Sequence, residues 1–507
     1  MKKIMKYTAI ALFAIGSLTA CSSDKLETAP TDAVSGSTLM GNSNTAIVAL
    51  NGIYRTFYTM GANQETFGPT SWNLVWDCMA EDMVMGAGGN GWFEWDVLYR
   101  FKNYWTSSGE RCYNLWNDNY TWISNANYIL AADSTMTGDD VDYVIGQAYA
   151  IRAFSYFNLA QAYARTLVGH ENEPCVPIYT EPTVPGTQGK PRVSVKEVYA
   201  QIDADINKAI EYLEKTNNKQ DDKTHISYAV ALGLKARIAL VENKWQEASE
   251  AATAAIAASG CEIQDVEDFL GCNDVSCDNV MWGAYIKADQ ATGYASFFAH
   301  MDPGYAYGKD CYKMINRTLY DSMNETDSRR DWWDVDMNND GTLGYQHVKF
   351  LFKNPQDWTG DYIWMRVEEM YLIAAEAECR LGHEAEAKEY LSLLMDQRDP
   401  NYDCSALTGT ALGTTSNEET GSLLEEIIRQ RRIELWGEIG RLNDLKRLHQ
   451  GFRRTEEQGW PSQYLLSSVL TDDPESFAWI FLIPQAEFDG NVNMDIVKDQ
   501  NPLGDKQ

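Results

Sequence analysis

Two stretches of this chain carry residue types at spacings that could do chemistry. The first runs Asp336-Met337-Asn338-Asn339-Asp340-Gly341. Asp336, Asn338 and Asp340 place side-chain oxygens at loop positions 1, 3 and 5, and a turn glycine follows at 6, as a calcium loop requires. Position 12 is His347 and not the bidentate glutamate, so Asp334 or a water would have to complete the shell. The same residues also read as an acidic turn without metal, and both readings stay open. The second stretch is Gly86-Ala87-Gly88-Gly89-Asn90-Gly91-Trp92-Phe93-Glu94-Trp95. Its glycines allow sharp turns and close backbone approach. Trp92 and Trp95 offer flat apolar faces on which a ligand can stack, and Asp82 and Asn90 offer planar polar groups for hydrogen bonding. Trp105 in the same region, and Tyr294, Tyr305 and Tyr307 in a later aromatic run, belong to the same concentration of rings in long loops. Each of these tryptophans reads more readily as a core or loop-packing residue than as a ligand contact.

Other chemistries find little support. Gly86, Gly88 and Gly91 spell G-x-G-x-x-G, but a dinucleotide site needs an amphipathic helix next, and Trp92-Phe93-Glu94-Trp95 does not begin one. There is no H-E-x-x-H and no G-x-S-x-G. The six histidines are scattered. Carboxylates are plentiful, and a glycosidase pair is defined by its separation, which sequence does not give. These motifs single out no catalytic constellation and no required cofactor, and a binding protein is the leading reading. The rivals are a glycosidase on a helical scaffold and a protein–protein adaptor.

The first forty residues say where the chain works. Lys2, Lys3 and Lys6 precede a short apolar run over 7–18, too short for the ~20 residues that span a bilayer and suited to a secretory signal. Leu18-Thr19-Ala20-Cys21 resembles a bacterial lipobox. Residues 1–20 read as signal peptide, Cys21 as the lipidated residue, and 21–40 as a polar tether. The formal net charge of −31 over 507 residues excludes a nucleic-acid binder, which needs dense positive charge. With Cys21 assigned to lipid, nine of ten cysteines remain, and their spacing does not form a disulfide framework. Cys272 and Cys277 could pair or stay as thiols. No CxxC pair offers a zinc site.

Helical patterns must position these residues. Apolar and small residues recur at helical spacing over 141–164 and 195–213. Five prolines over 174–191 mark an extended excursion between them. Residues 229–237 and 246–256 form a helix pair around a turn at 242–245. A second pair runs over 366–380 and 385–387, turning at Leu381-Gly382-His383. A third begins at Leu423 and turns near 437–440. Small residues at the crossings resemble tetratricopeptide units. The fold class is all-α dominated: a tetratricopeptide-like helical-repeat scaffold with long aromatic-rich loops, over 63–116 and 272–358, and minor β structure.

In order along the chain, several helices resemble those of the SusD/RagB family of outer-membrane nutrient-binding lipoproteins. Arg152-Ala153-Phe154-Ser155-Tyr156-Phe157-Asn158-Leu159 resembles its R-A-F-x-Y-F-x-L helix. Arg366 to Ala377 resembles R-x-x-E-x-x-L-x-x-A-E-A. Arg429-Gln430-Arg431-Arg432-Ile433-Glu434-Leu435, with Glu438, Arg441 and Asp444, resembles the family's E-R-x-x-E run, although Gln430-Arg431 stands where Glu-Arg is usual. The stretches 191–209, 483–487 and 500–502 also fit. The resemblance implies an N-terminal region over 41–270 and a C-terminal region over 271–507 packed as one body. It implies attachment to the outer membrane, facing outward. It further implies a binding protein and not an enzyme, with ligand contacts from the early loop (Asp82, Asn90, Trp92, Trp95, Trp105) and the later aromatic loop (Tyr294, Tyr305, Tyr307), capturing oligosaccharides, or in some members peptides, for delivery to a SusC-like TonB-dependent transporter. The Arg and Glu residues of these helices read as surface ion pairs three or four apart, a structural role.

Overall fold

The computed structural model describes residues 40–86, 91–99, 106–184, 186–219, 222–336 and 344–503. Helices dominate. After α1 (Ser43–Thr56), α2 (Pro69–Met79) starts with proline at its first turn, where the missing N–H costs nothing. The short α3 (Glu94–Val97) follows, then the long pair α4 (Glu110–Leu130) and α5 (Val141–Tyr163). Helix α6 (Val195–Leu213) opens with a complete capping box between Ser194 and Glu197 and packs on α5. Gly146 of α5 allows that approach, since a Cβ there would lie 2.7 Å from Leu213 Cγ.

The expected helix pairs form. Helix α7 (Tyr228–Val241) turns through Asn243, at φ 58°, into α8 (Trp245–Ser259). Three short helices, α9 (Phe297–Met301), α10 (Ala306–Asp310) and α11 (Arg317–Asp321), sit within the long C-terminal insertion. Helix α12 (Val367–Leu381) ends on Gly382 at φ 85°, where His383 N–H returns to Glu378 O, and α13 (Glu384–Met395) packs back on it. Helices α14 (Leu423–Glu434) and α15 (Arg441–Leu448) make the third pair. Three short helices, α16 (Ser468–Thr471), α17 (Gln485–Gly490) and α18 (Ile496–Asp499), close the chain. Among the described residues no helix is long and apolar enough to cross a membrane. A continuous apolar core reaches from Ala46 to Met494, with a satellite cluster between α12, α13 and α14.

Strand structure is minor and does specific work. Strands β1 (Met83–Met85), β3 (Lys313–Ile315), β5 (Gln346–His347) and β4 (Trp333–Asp334) pair antiparallel in that spatial order. This ladder ties the early aromatic segment to the late one. Strands β2 (Val280–Ala284) and β6 (Tyr362–Arg366) pair separately and deliver Arg366 to the core.

The motif arginines and glutamates are structural, as expected, but they are not a surface lattice. Glu434 is fully buried and accepts from Arg366 (3.1 Å), Arg398 (3.0 Å to each oxygen) and Arg329 (3.4 Å). Arg366 also grips Glu438 through two nitrogens at 2.8 Å, and Lys349 donates to the same carboxylate at 2.7 Å. A second buried group joins Arg447 to Glu376 (2.7 and 2.9 Å) and Asp444 to both Arg447 and Arg431. Burial alone would raise the Glu434 pKa, but Arg398, Arg366 and Arg329 outweigh it and hold the carboxyl well below its usual range.

Replacing one partner of a buried ion pair strands the others and costs about 3–5 kcal/mol. Glu434→Gln is expected to lower unfolding stability by that amount at neutral pH, measured by chemical denaturation. A carboxyl with a depressed folded pKa contributes stability above its unfolded value of about 4.3, lost as pH falls. The deficit of the variant therefore shrinks below about pH 4. A constant deficit across pH would contradict the assignment.

Candidate functional site

The site grows from a buried hub, His300 of α9. Its Nε2 lies 2.8 Å from Gln64 O. The rings of Phe67, Phe93, Trp92 and Tyr307 surround it at 5.1–5.8 Å. Burial, reinforced by the Lys313 ammonium, pushes its pKa down to about 3, so the ring is neutral and donates from Nε2. Lys313 of β3 donates to His300 O and Cys311 O, fixing the hub to the ladder. Glu65 receives Phe93 N at 3.0 Å and the Arg111 guanidinium at 3.0 Å, and Arg111 also pairs with Asp96 at 2.9 Å. These contacts bring the first turn of α4, the 63–66 loop and the Trp92 segment together.

From the hub an aromatic strip runs outward. Trp92 meets Tyr307 at 5.3 Å between ring centroids, Tyr307 meets Tyr294 at 5.0 Å, and Tyr294 meets Trp358 at 4.8 Å. Trp358 then packs on Phe352 (5.7 Å), which also touches Tyr305 (6.2 Å). Tyr294 and Tyr305 are 47% and 43% exposed, while Trp92, Tyr307 and Trp358 are half-buried. Each of the four rings Trp92, Tyr307, Tyr294 and Trp358 sits at or beside a left-handed backbone kink: Phe93 (φ 64°) after Trp92, Gly293 (58°) before Tyr294, Ala306 (47°) before Tyr307, and Trp358 itself (58°). Non-glycine residues in this region carry a strain of about 1–3 kcal/mol, held here by the surrounding packing. Trp358 tips a tight loop closed by Thr359 N–H to Asn354 O at 3.1 Å. Arranged this way, the rings offer a stepped apolar face edged with tyrosine hydroxyls. The Tyr307 hydroxyl donates to the Gln64 side chain. Such a surface can stack flat, partly apolar ligands.

Residues 72–240 match the family model described as starch-binding associating with outer membrane, and residues 286–503 match the SusD family model. This chain belongs to the SusD/RagB family. Its fold is shared by a SusD-like carbohydrate binding protein from Bacteroides vulgatus (24% identity, 90% of this chain and 97% of that one, TM-score 0.73). A SusD superfamily protein from Bacteroides thetaiotaomicron (22%, 90% and 99%, 0.70) and surface glycan-binding protein A from Bacteroides fluxus (18%, 91% and 99%, 0.67) share it as well. No curated protein matches the chain.

In this SusD/RagB protein the structure gathers Trp92, Tyr294 and Tyr307 into one surface and sets Tyr305 beside it through Phe352. Trp95 stands on α3, 40% exposed. Asn90, Trp105, Asn338, Asp340 and Cys21 lie outside the described residues. Asp82 is a correction. It is 3% exposed, with both oxygens engaged by Arg432 (2.9 and 2.6 Å) and one by Arg441 (3.3 Å). It belongs to the core and is not presented to a ligand.

The aromatic-rich segments are also less loop-like than their length suggested. Trp72 and Trp76 are buried on α2, Trp116 is buried on α4, and Trp282, Trp332 and Trp333 are buried in or beside strands. Cys272 and Cys277 are free thiols. Trp358, Phe352 and His300 were not singled out in the sequence. The Pro355-Gln356-Asp357-Trp358-Thr359-Gly360 turn chemistry is the signal that could have flagged Trp358 as a tip residue.

Of the suggested calcium loop, residues 337–343 lie outside the described residues. Asp336 N donates to Asp334 Oδ1 at 2.9 Å. His347, at the twelfth position, is fully buried against Phe350 and Trp436, and burial drives its pKa down to about 3. Among the described residues no group of three or more His, Cys, Asp or Glu is placed to hold a metal.

Asp82→Ala is expected to leave Arg432 without its bidentate partner and to lower stability by about 3 kcal/mol or more. Thermal unfolding measures this. An unchanged midpoint would return Asp82 to the list of surface candidates.

Proposed function

We propose that this protein captures neutral oligosaccharides on the aromatic strip at the cell surface. It then passes them, unchanged, to a SusC-like TonB-dependent transporter in the outer membrane. The observation that carries the reading is the run of four contacting rings, Trp92–Tyr307–Tyr294–Trp358, on rigid kinked loops. Aromatic platforms pack on sugar C–H faces, and tyrosine hydroxyls and nearby amides such as Gln64 serve the hydroxyl groups. The net charge of −31 disfavours polyanionic glycans. The likeness to solved carbohydrate- and glycan-binding proteins supports the same reading. An acyl chain on Cys21, with a polar tether, would hold the body at the membrane. We also propose that any calcium bound through Asp336, Asn338 and Asp340 is structural and weak, as in extracellular modules.

Calorimetry on the Ser22–Gln507 fragment, with neutral glycans and mixed peptides and with or without calcium, tests the reading. Glycan binding without product formation is expected. Trp358→Ala and Tyr294→Ala should each weaken it about tenfold or more, as loss of a central aromatic does, with unchanged melting temperature because these rings are half-exposed. Full affinity in both variants would remove the strip from the site. A peptide hit alone would keep the family and change the substrate, and turnover would favour the glycosidase rival.

A further inference from the structure

A second concave surface lies along α4, built from other residues. One face of that helix presents Tyr113, Asn117, Tyr120, Thr121 and Ser124 at positions i, i+4, i+7, i+8 and i+11. The facing wall is the proline-rich excursion, through Tyr179 and Thr183, with Glu487 of α17 at one end. The groove holds about 580 Å³, within the range of small-ligand sites. From residue 113 to 124 it extends for about 16 Å along the helix axis, the length of a short oligomer.

Its walls are fixed before any ligand arrives. Tyr120 Oη donates to Pro177 O at 2.7 Å. Asn127 Nδ2 donates to Tyr179 O (3.0 Å) and Glu181 O (3.2 Å), while its carbonyl oxygen is held by Arg152, itself clamped to Asp205 at 2.6 and 2.8 Å. A groove pinned this way spends little free energy on ordering when it binds.

The lining chemistry selects the occupant. Aromatic rings form the floor: Trp116 and Tyr120 are 4.8 Å apart, and Tyr120 and Tyr179 are 5.9 Å apart. Tyr113 stands 42% exposed at the mouth. The rim is amide and hydroxyl: Asn117, Thr121 and Asn125 are exposed. Asn117 Oδ1 accepts from Tyr113 Oη at 3.2 Å, which leaves its amide N–H groups for a ligand. Among the described residues no lysine or arginine lines the groove. The one carboxylate among the described lining residues, Glu487, is engaged by Trp116 Nε1 (3.3 Å) and Asn491 Nδ2 (2.7 Å). A stacking floor with a neutral hydrogen-bonding rim fits an uncharged polyol chain. It does not fit an anion, and its rim is too polar for the apolar centre of a protein interface.

We infer that this groove is a second binding site for neutral glycan, distinct from the aromatic strip and sharing α4 with it. The inference rests on the glycan reading above. The first turn of α4 is tied to the strip's support through Glu110, which accepts from Asn63, and through the Arg111 pairs. The groove opens a turn further along.

The test is calorimetry of the Ser22–Gln507 fragment with a panel of neutral gluco-, manno-, xylo- and galacto-oligosaccharides. The parent is compared with Tyr113→Ala, Asn117→Ala, Tyr113→Trp and the strip variant Trp358→Ala. Two binding events per chain are expected. Tyr113→Ala and Asn117→Ala should weaken one of them by about tenfold. Tyr113→Trp should restore it, and Trp358→Ala should affect the other. Thermal melting confirms that the exposed substitutions leave the fold intact. If the groove variants bind every sugar as the parent does while Trp358→Ala loses affinity, the groove proposal fails and the strip stands. If the groove variants keep glycan affinity but lose association with the transporter, the groove is a protein contact and the proposal is overturned. No binding to any member of the panel overturns both readings.

Discussion

The enclosure of Glu434 by three guanidiniums is the constraint on which the rest of the structure depends. Arg366 arrives from β6, Arg398 from beyond α13 and Arg329 from the turn preceding β4, so one carboxylate holds four segments in register. Buried charges of this kind cost several kcal/mol each to desolvate and return it only when every partner is present. The arrangement is therefore all-or-none, and it favours a unique packing over a merely compact one. Neighbouring groups repeat the device. Arg432 and Arg441 bind Glu81 and Asp82 immediately before β1. Arg454 donates to the carbonyls of Cys78, Met79 and Ala80 at the end of α2 and to that of Val97 beyond it. By these links the C-terminal helices grip the early segment that carries Trp92.

The buried frame and the candidate site thus occupy different parts of the molecule. The charged core and the helix pairs form a stiff frame, and a short antiparallel ladder with a neutral, buried histidine relays that stiffness to the surface loops. The aromatic strip adds little to the frame, since its outer rings face solvent. Loops on a rigid scaffold are where binding residues concentrate, because they vary without disturbing the core.

Much of the frame was legible in the sequence. Helices over 141–164 and 195–213, and the turns at Asn243 and Gly382, follow from periodicity, capping and small residues, all of which are local signals. The sorting of aromatics was not local. Trp72 and Trp76 look like Trp92 and Trp95 in composition, yet the first pair is buried and Trp95 is exposed. Only the i, i+4 spacing after Gly68-Pro69 hinted at a helix. Asp82 was misread for the same reason, since its partner Arg432 is 350 residues away in sequence. The family motif residues were read correctly as structural, but their burial depends on tertiary neighbours that no helical wheel reveals.

The left-handed kinks that carry the strip restrict how such a surface can drift over generations. Kinks of this type are set by backbone and by what packs beneath, so the ring carried at each tip is exchangeable while its direction is not. At position 358 the backbone disfavours β-branched residues and tolerates glycine, asparagine, aspartate or, with strain, a bulky ring. Drift there leads from stacking toward small amide or carboxylate side chains, not through valine or threonine. On the proposed reading, ligand preference at such a station shifts by single substitutions while the scaffold is inherited unaltered.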